Sequence, residues 1–141
     1  FDPKQPEFAP TGPVDMVLTF RNVHNWAKAG SAEAMFAGFA KALKPGGVLG
    51  VVEHRAKVGT PLDIQIKSGY MTEDYVIQMA KDAGFRLDAK SEINANPKDT
   101  ADHPNGVWNL LPSLRGVQDD DKANIISIGE SDRMTLRFIK E

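Results

Sequence analysis

Cysteine is absent from the chain. That excludes disulfides, thiolate metal sites and cysteine nucleophiles together, and it leaves the compartment open between cytoplasm and periplasm. Long basic runs are also missing. The 17 Lys and Arg stand against 19 Asp and Glu, a formal net charge of −2, so no nucleic-acid surface is indicated and a small-molecule partner is expected. The richest apolar stretch, Gly46 to Val52, falls far short of the ~20 residues needed to cross a membrane, and no membrane partner is expected. Neither a starting Met nor an apolar leader precedes FDPKQPEF, which raises the expectation of a processed chain or the tail of something longer.

What remains is 141 residues, enough for one domain with its own core. Residues 1–13 hold four Pro and a Gly, which defeats helix and ladder alike and predicts an extended leading segment. Residues 14–141 form the domain. VDMVLTF, Val14 to Phe20, is apolar apart from Asp15 and Thr19 and reads as a strand covered on both faces of a parallel sheet. Ser31 then offers an N-cap, Glu33 suits the positive first turn, and Met35, Phe36, Phe39, Ala40 and Leu43 recur at helical steps.

KPGG stops that helix, and VLGVVEH, Val48 to His54, follows as a second buried strand. Strand, helix, strand is a parallel crossover unit. After a loop containing Gly59, Pro61 and Gly69, Thr72 caps a second helix whose core face is Val76, Ile77, Ala80 and Ala83. Gly84 ends it, and Phe85 to Ile93 alternates as a half-exposed strand. Residues 94–114 carry three Pro and repeated Asn, too irregular for one element, and read as a loop or flap. MTLRFIK, Met134 to Lys140, closes the chain as an alternating strand after the turn GESDR.

Three stretches in this order, VDMVLTFRNVHNW, FAKALKPGGVLGVVEH and MAKDAGFRLDAKSEI, resemble the C-terminal half of a class I S-adenosylmethionine-dependent methyltransferase. The likeness covers residues 14–93, and Met134 to Lys140 fits the antiparallel last strand of that family. The RNV of TFRNVHNW is similar to a loop of quinone-biosynthesis methyltransferases, and the whole run is closer still to a group of bacterial methyltransferases assigned from sequence. The resemblance implies an α/β, Rossmann-like sheet, partial, mostly parallel with an antiparallel last strand. It implies S-adenosylmethionine as cofactor and a small-molecule methyl acceptor.

One part of the family pattern is missing. A glycine-rich turn after a first strand, and an acidic residue closing a second, would grip the cofactor, and neither occurs here. Gly46-Gly47 has no strand before it and no helix after it. The strand at Val14 to Phe20 would then be an open apolar edge. The expectation is a homo-oligomer, pairing with a missing N-terminal half, or cover by the leading segment.

The candidate site residues lie past the carboxyl ends of the two parallel strands, where doubly wound folds bind ligands. By resemblance, Phe20 and Asn22 run along the cofactor, while Arg21, Asn22, Asn25, Trp26, His54, Arg55, His103 and Trp108 contact substrate. His24 would remove a proton, and Glu53 would orient it. Alternatives stay open: His24 as a helix-flanking hydrogen bonder, Trp26 as a core cover, Glu53 in an ion pair with Arg21 or Arg55, and Trp108 pinning a surface loop. Tyr70 and Tyr75 could line the pocket or simply pack. The three His show no ligand spacing and no metal is expected. Two further function classes are a non-catalytic α/β interaction domain that oligomerises through its edge and a small-molecule binding module.

Overall fold

The computed structural model describes residues 1–9 and 12–141. Strand β1 (Val14–Phe20) leads into helix α1 (Val23–Ala29) and helix α2 (Ala32–Ala42), then strand β2 (Leu43–His54). Helices α3 (Leu62–Ser68) and α4 (Glu73–Asp82) precede strand β3 (Phe85–Ser91). Helix α5 (Lys122–Ile128) and strand β4 (Arg133–Lys140) follow the irregular segment. The sheet order is β1-β2-β4-β3. β1 and β2 pair in parallel, and β4 runs antiparallel to both β2 and β3. Three strands therefore share one direction and only the last opposes them, the mixed sheet that the resemblance implies.

One face of this sheet is the core. Leu49 and Val51 of β2 and Met134, Leu136 and Phe138 of β4 meet Phe36 and Phe39 of α2 and Val76 and Ala80 of α4, all buried. The alternation along β4 sends its even-numbered residues inward and its odd-numbered residues outward. Each fully buried Leu or Phe of this kind contributes roughly 1.5–3 kcal/mol. The Thr72 hydroxyl caps α4 by accepting from the Tyr75 backbone N–H at 3.1 Å, as expected.

The structure corrects several sequence expectations. β1 is not covered on both faces: Val14, Met16, Leu18 and Phe20 alternate outward at 38, 54, 56 and 55% exposure, while Val17 packs on the core and Thr19 is buried. An apolar run cannot distinguish a central strand from an edge strand whose outer face has no cover. The leading segment is not simply extended. It turns at Asp2–Gln5 and lays Phe8 on Phe39 of α2, ring centres 5.0 Å apart. Pro10 and Thr11 of that segment lie outside the described residues.

The polar stretch after β1 is a helix rather than a loop. α1 closes at Gly30, whose φ of 69° lets its N–H reach back to Ala27. α3 also goes beyond the sequence expectation, lying in what reads as a loop before Gly69. KPGG belongs to β2, where the pairing jumps from Val14–Leu43 to Met16–Val48 around it. A Cβ on Gly47 would sit 2.8 Å from the Lys44 carbonyl oxygen, so only glycine fits that bulge. Residues 122–128 are helical.

Candidate functional site

At the end of β1 the chain leaves the sheet abruptly. The Arg21 N–H donates to the Val52 carbonyl at 2.7 Å, and Arg21 takes a left-handed φ of 54°. This turn starts α1 against the end of β2. The N-cap Asn22 makes no side-chain cap. Glu53 supplies one from the neighbouring strand instead, Oε2 accepting the His24 backbone N–H at 2.8 Å.

The same carboxylate accepts twice more: Oε1 takes the His54 backbone N–H at 2.9 Å, and both oxygens lie 3.0 and 3.1 Å from His24 Nδ1. Glu53 is completely buried, so these N–H groups replace the water it gave up. A carboxylate can only accept, which makes Nδ1 the protonated nitrogen of neutral His24 and leaves Nε2 as its basic atom. The alternative pairing of Glu53 with Arg21 or Arg55 does not form, and His24 takes the place.

His54, the last residue of β2, turns its Nδ1 to the Ser131 hydroxyl, whose oxygen also accepts from Arg133 Nε at 3.1 Å. Burial first, then the neighbouring His24 ring and the Arg133 and Arg21 guanidinium groups, pushes the His54 pKa down to about 3. The two imidazoles approach with ring centres 5.3 Å apart. Trp108 presents an edge contact to His24 at 6.1 Å, and Tyr70 lies 6.2 Å from His54. One atom each of His24, Glu53 and His54 falls within 4.8 Å of the others, a set that could surround a cation and that sequence spacing does not reveal. Both Glu53 oxygens and both Nδ1 atoms in this set already hold hydrogen bonds.

The remaining candidates separate from this corner. Arg55 meets Glu92 and Asp132 bidentately at 2.8–3.0 Å and Glu73 at 3.0 Å. The Glu92 and Asp132 hydrogen bonds raise its pKa against the cost of burial, and with Glu73 they use its whole fork. These groups line a cleft of about 480 Å³ with Lys90 and Asp99. His103 Nε2 donates to Asp99 Oδ1 at 2.8 Å, and Asp99 also accepts from the Tyr70 hydroxyl at 2.8 Å. Burial and that Asp99 contact hold the Tyr70 phenol protonated well above its ordinary range.

Trp26 faces Phe39, ring centres 5.6 Å apart, within the core layer. Asn22 and Asn25 are exposed and bond one another at 3.4 Å. Phe20 and Arg21 are exposed at the open edge. The structure thus brings together His24, Glu53, His54 and Trp108, and places Arg55 and His103 in separate polar clusters. Ser131 and Arg133, which set the His54 ring, read from sequence as part of a turn, and nothing local in GESDR marks them.

No family model matches this chain, and no curated protein matches it. Solved structures do match in fold. A SAM-dependent methyltransferase from Methanosarcina mazei aligns over 99% of this chain and 65% of its own, at 11% identity and a TM-score of 0.60. The [4+2]-cyclase SpnF aligns over 99% of this chain and 54% of its own, at 13% identity and a TM-score of 0.60. The Planctomyces limnophilus O-methyltransferase family 2 protein, in complex with apigenin, aligns over 100% of this chain and 34% of its own, at 12% identity and a TM-score of 0.57. The chain spans about a third of the length of several of the O-methyltransferases it matches. The fold is methyltransferase-like, and the cyclase shows that this fold also carries other chemistry.

Proposed function

We propose that this chain is the C-terminal half of an S-adenosylmethionine-dependent methyltransferase-like domain acting on a small molecule, in which His24 is the general base and Glu53 holds it. The observation that carries the reading is the His24 Nδ1 contact with buried Glu53 at 3.0 Å, at the carboxyl ends of two parallel strands. That contact fixes the ring and its tautomer and leaves Nε2 to take a proton from an acceptor. Trp108 beside His24 gives the acceptor an apolar wall, and residues 94–114 would serve as the flap that carries it.

The residues present do not by themselves fit the cofactor. No glycine turn between strand and helix faces the rim among the described residues, and Phe20 and Asn22 are exposed. The cofactor's grip would come from polypeptide paired across β1, either a second copy or an N-terminal half, covering Met16, Leu18 and Phe20. The proposed transfer class needs proximity, orientation and one base from the protein, and this chain supplies the base.

The test is an NMR titration with S-adenosylhomocysteine. Amide shifts confined to Phe20–Asn25 and Glu53–Arg55, even at millimolar ligand, are expected from a half site. Undisturbed amides there at that concentration would remove the enzyme reading. The second reading, a non-catalytic interaction domain, draws on the bare outer face of β1, and it would then stand if the chain associates strongly without ligand.

A further inference from the structure

The hydrogen bonds at Ser131 determine more about the site than the fold does. Ser131 is 3% exposed, and its hydroxyl has two neighbours, Arg133 Nε and His54 Nδ1. A guanidinium can only donate, and Arg133 is held in place by a second bond to Glu130 at 3.0 Å. The hydroxyl oxygen therefore accepts from Arg133, and its one proton has a single acceptor within reach, His54 Nδ1. The opposite tautomer would leave a buried hydroxyl proton unpaired. Neutral His54 thus carries its own proton on Nε2, while His24, held by a carboxylate, carries its proton on Nδ1.

The two rings therefore present opposite chemistry. His24 offers a bare Nε2 and His54 an Nε2–H. Neither Nε2 has a partner among the described residues, and no buried side-chain nitrogen or oxygen among them is left without one, so each Nε2 keeps some exposure to solvent. Ring centres lie 5.3 Å apart. Two hydrogen bonds of about 2.8 Å meeting at tetrahedral geometry on one oxygen span about 4.6 Å.

Resting on the reading that this rim holds the acceptor, we propose that His54 is a second substrate-touching group and that the His24–His54 pair selects an acceptor that is a hydroxyl. A hydroxyl both gives and takes a hydrogen bond at one atom. An ether or carbonyl oxygen has no proton for His24, and an ammonium group has no lone pair for His54. When His24 takes the proton, the His54 N–H remains bonded to the oxygen and stabilises its developing negative charge. Ser131 and Arg133 act through His54 as positioning residues.

The experiment is long-range ¹⁵N–¹H NMR of the histidine side chains in the full chain, followed by titration with phenol, anisole and benzylamine. The expected spectrum shows His54 protonated on Nε2 and His24 on Nδ1, with Ser131→Ala releasing the His54 tautomer. Phenol should bind more tightly than anisole or benzylamine. His54→Leu should lower the phenol affinity roughly fivefold, the worth of one neutral hydrogen bond, without changing anisole, and His54→Gln, which keeps a donor, should restore it.

A wild-type His54 protonated on Nδ1, or a phenol-to-anisole ratio unchanged by His54→Leu, overturns the proposal without any variant having to be active. The same samples, titrated with S-adenosylhomocysteine, keep the readings apart. Cofactor shifts without hydroxyl preference sink this proposal alone, and hydroxyl preference without cofactor shifts sinks only the methyltransferase reading.

Discussion

His54 and Arg55 are adjacent at the end of β2 and have opposite roles. Arg55 commits its whole fork inside the chain, to Glu73, Glu92 and Asp132, and ties the start of α4, the end of β3 and the start of β4 into one knot. His54, with His24 beside it, keeps one ring nitrogen without a partner among the described residues. A polar group whose every bond is made within the fold is structure, whereas one oriented on one side and free on the other is prepared for something outside it. Both residues look alike in the sequence, as charged or titratable side chains on the ligand rim. Only the partner count separates them.

The sharpest way to break the comparison is Glu53→Leu. It removes an acceptor from two backbone N–H groups and from His24 Nδ1 at once, each of them buried. The expected cost is about 3 kcal/mol or more in urea denaturation, with the first turn of α1 losing amide protection first. Arg55→Met comes next, at about 2 kcal/mol, because three carboxylates are left facing one another without their shared cation. Arg55→Lys should recover little of it, since an ammonium cannot replace two bidentate contacts. If Arg55→Met instead left stability unchanged but altered ligand binding, the division drawn between knot and site would be wrong.

A smaller and graded effect comes from acid. His54 is neutral in the fold down to about pH 3 but takes a proton near pH 6.5 when unfolded. Below pH 6.5 the unfolded chain therefore binds more protons than the folded one, and stability falls as pH falls, by about 1.4 kcal/mol per pH unit from this group. His54→Leu should flatten the slope between pH 6.5 and about 5. Below that window the carboxylates of Glu73, Asp88 and Glu92, whose pKa values are lowered by Arg and Lys partners, add their own losses.

Much of this fold is legible in the sequence. β1 matches its expected bounds, and α2, α4, β3 and β4 carry strong periodicity, a Thr cap or a Gly stop. The His24–Glu53 pairing follows from two strand ends sharing a rim. What escapes does so for physical reasons. α1 and α3 are seven residues each, too short for a hydrophobic stripe. α3 is held instead by Gln65, which donates to the Thr60 carbonyl at 2.7 Å and accepts from the Thr72 N–H at 2.9 Å. Ser131 reaches His54 across 77 positions, a contact that no local pattern encodes.

The least perturbing variant tests the other side of β1. Leu18 is 56% exposed, and within the chain it lies over Gly50, where an added Cβ would come within 2.6 Å of it. Replacing it with Lys should change the stability of the isolated chain by no more than about 0.5 kcal/mol, as for most surface substitutions. A lysine on an apolar edge also blocks strand pairing and face-to-face docking. If β1 is where a second copy or an N-terminal half seats itself, sedimentation should show Leu18→Lys monomeric at concentrations where the parent chain associates, with the His24 and His54 tautomers unchanged. Equal association of parent and variant would place the contact elsewhere and leave Met16, Leu18 and Phe20 as exposure without a partner. The corner at His24 and the edge at β1 would then have to be explained separately, because only polypeptide seated across β1 would join the base to a grip on the cofactor.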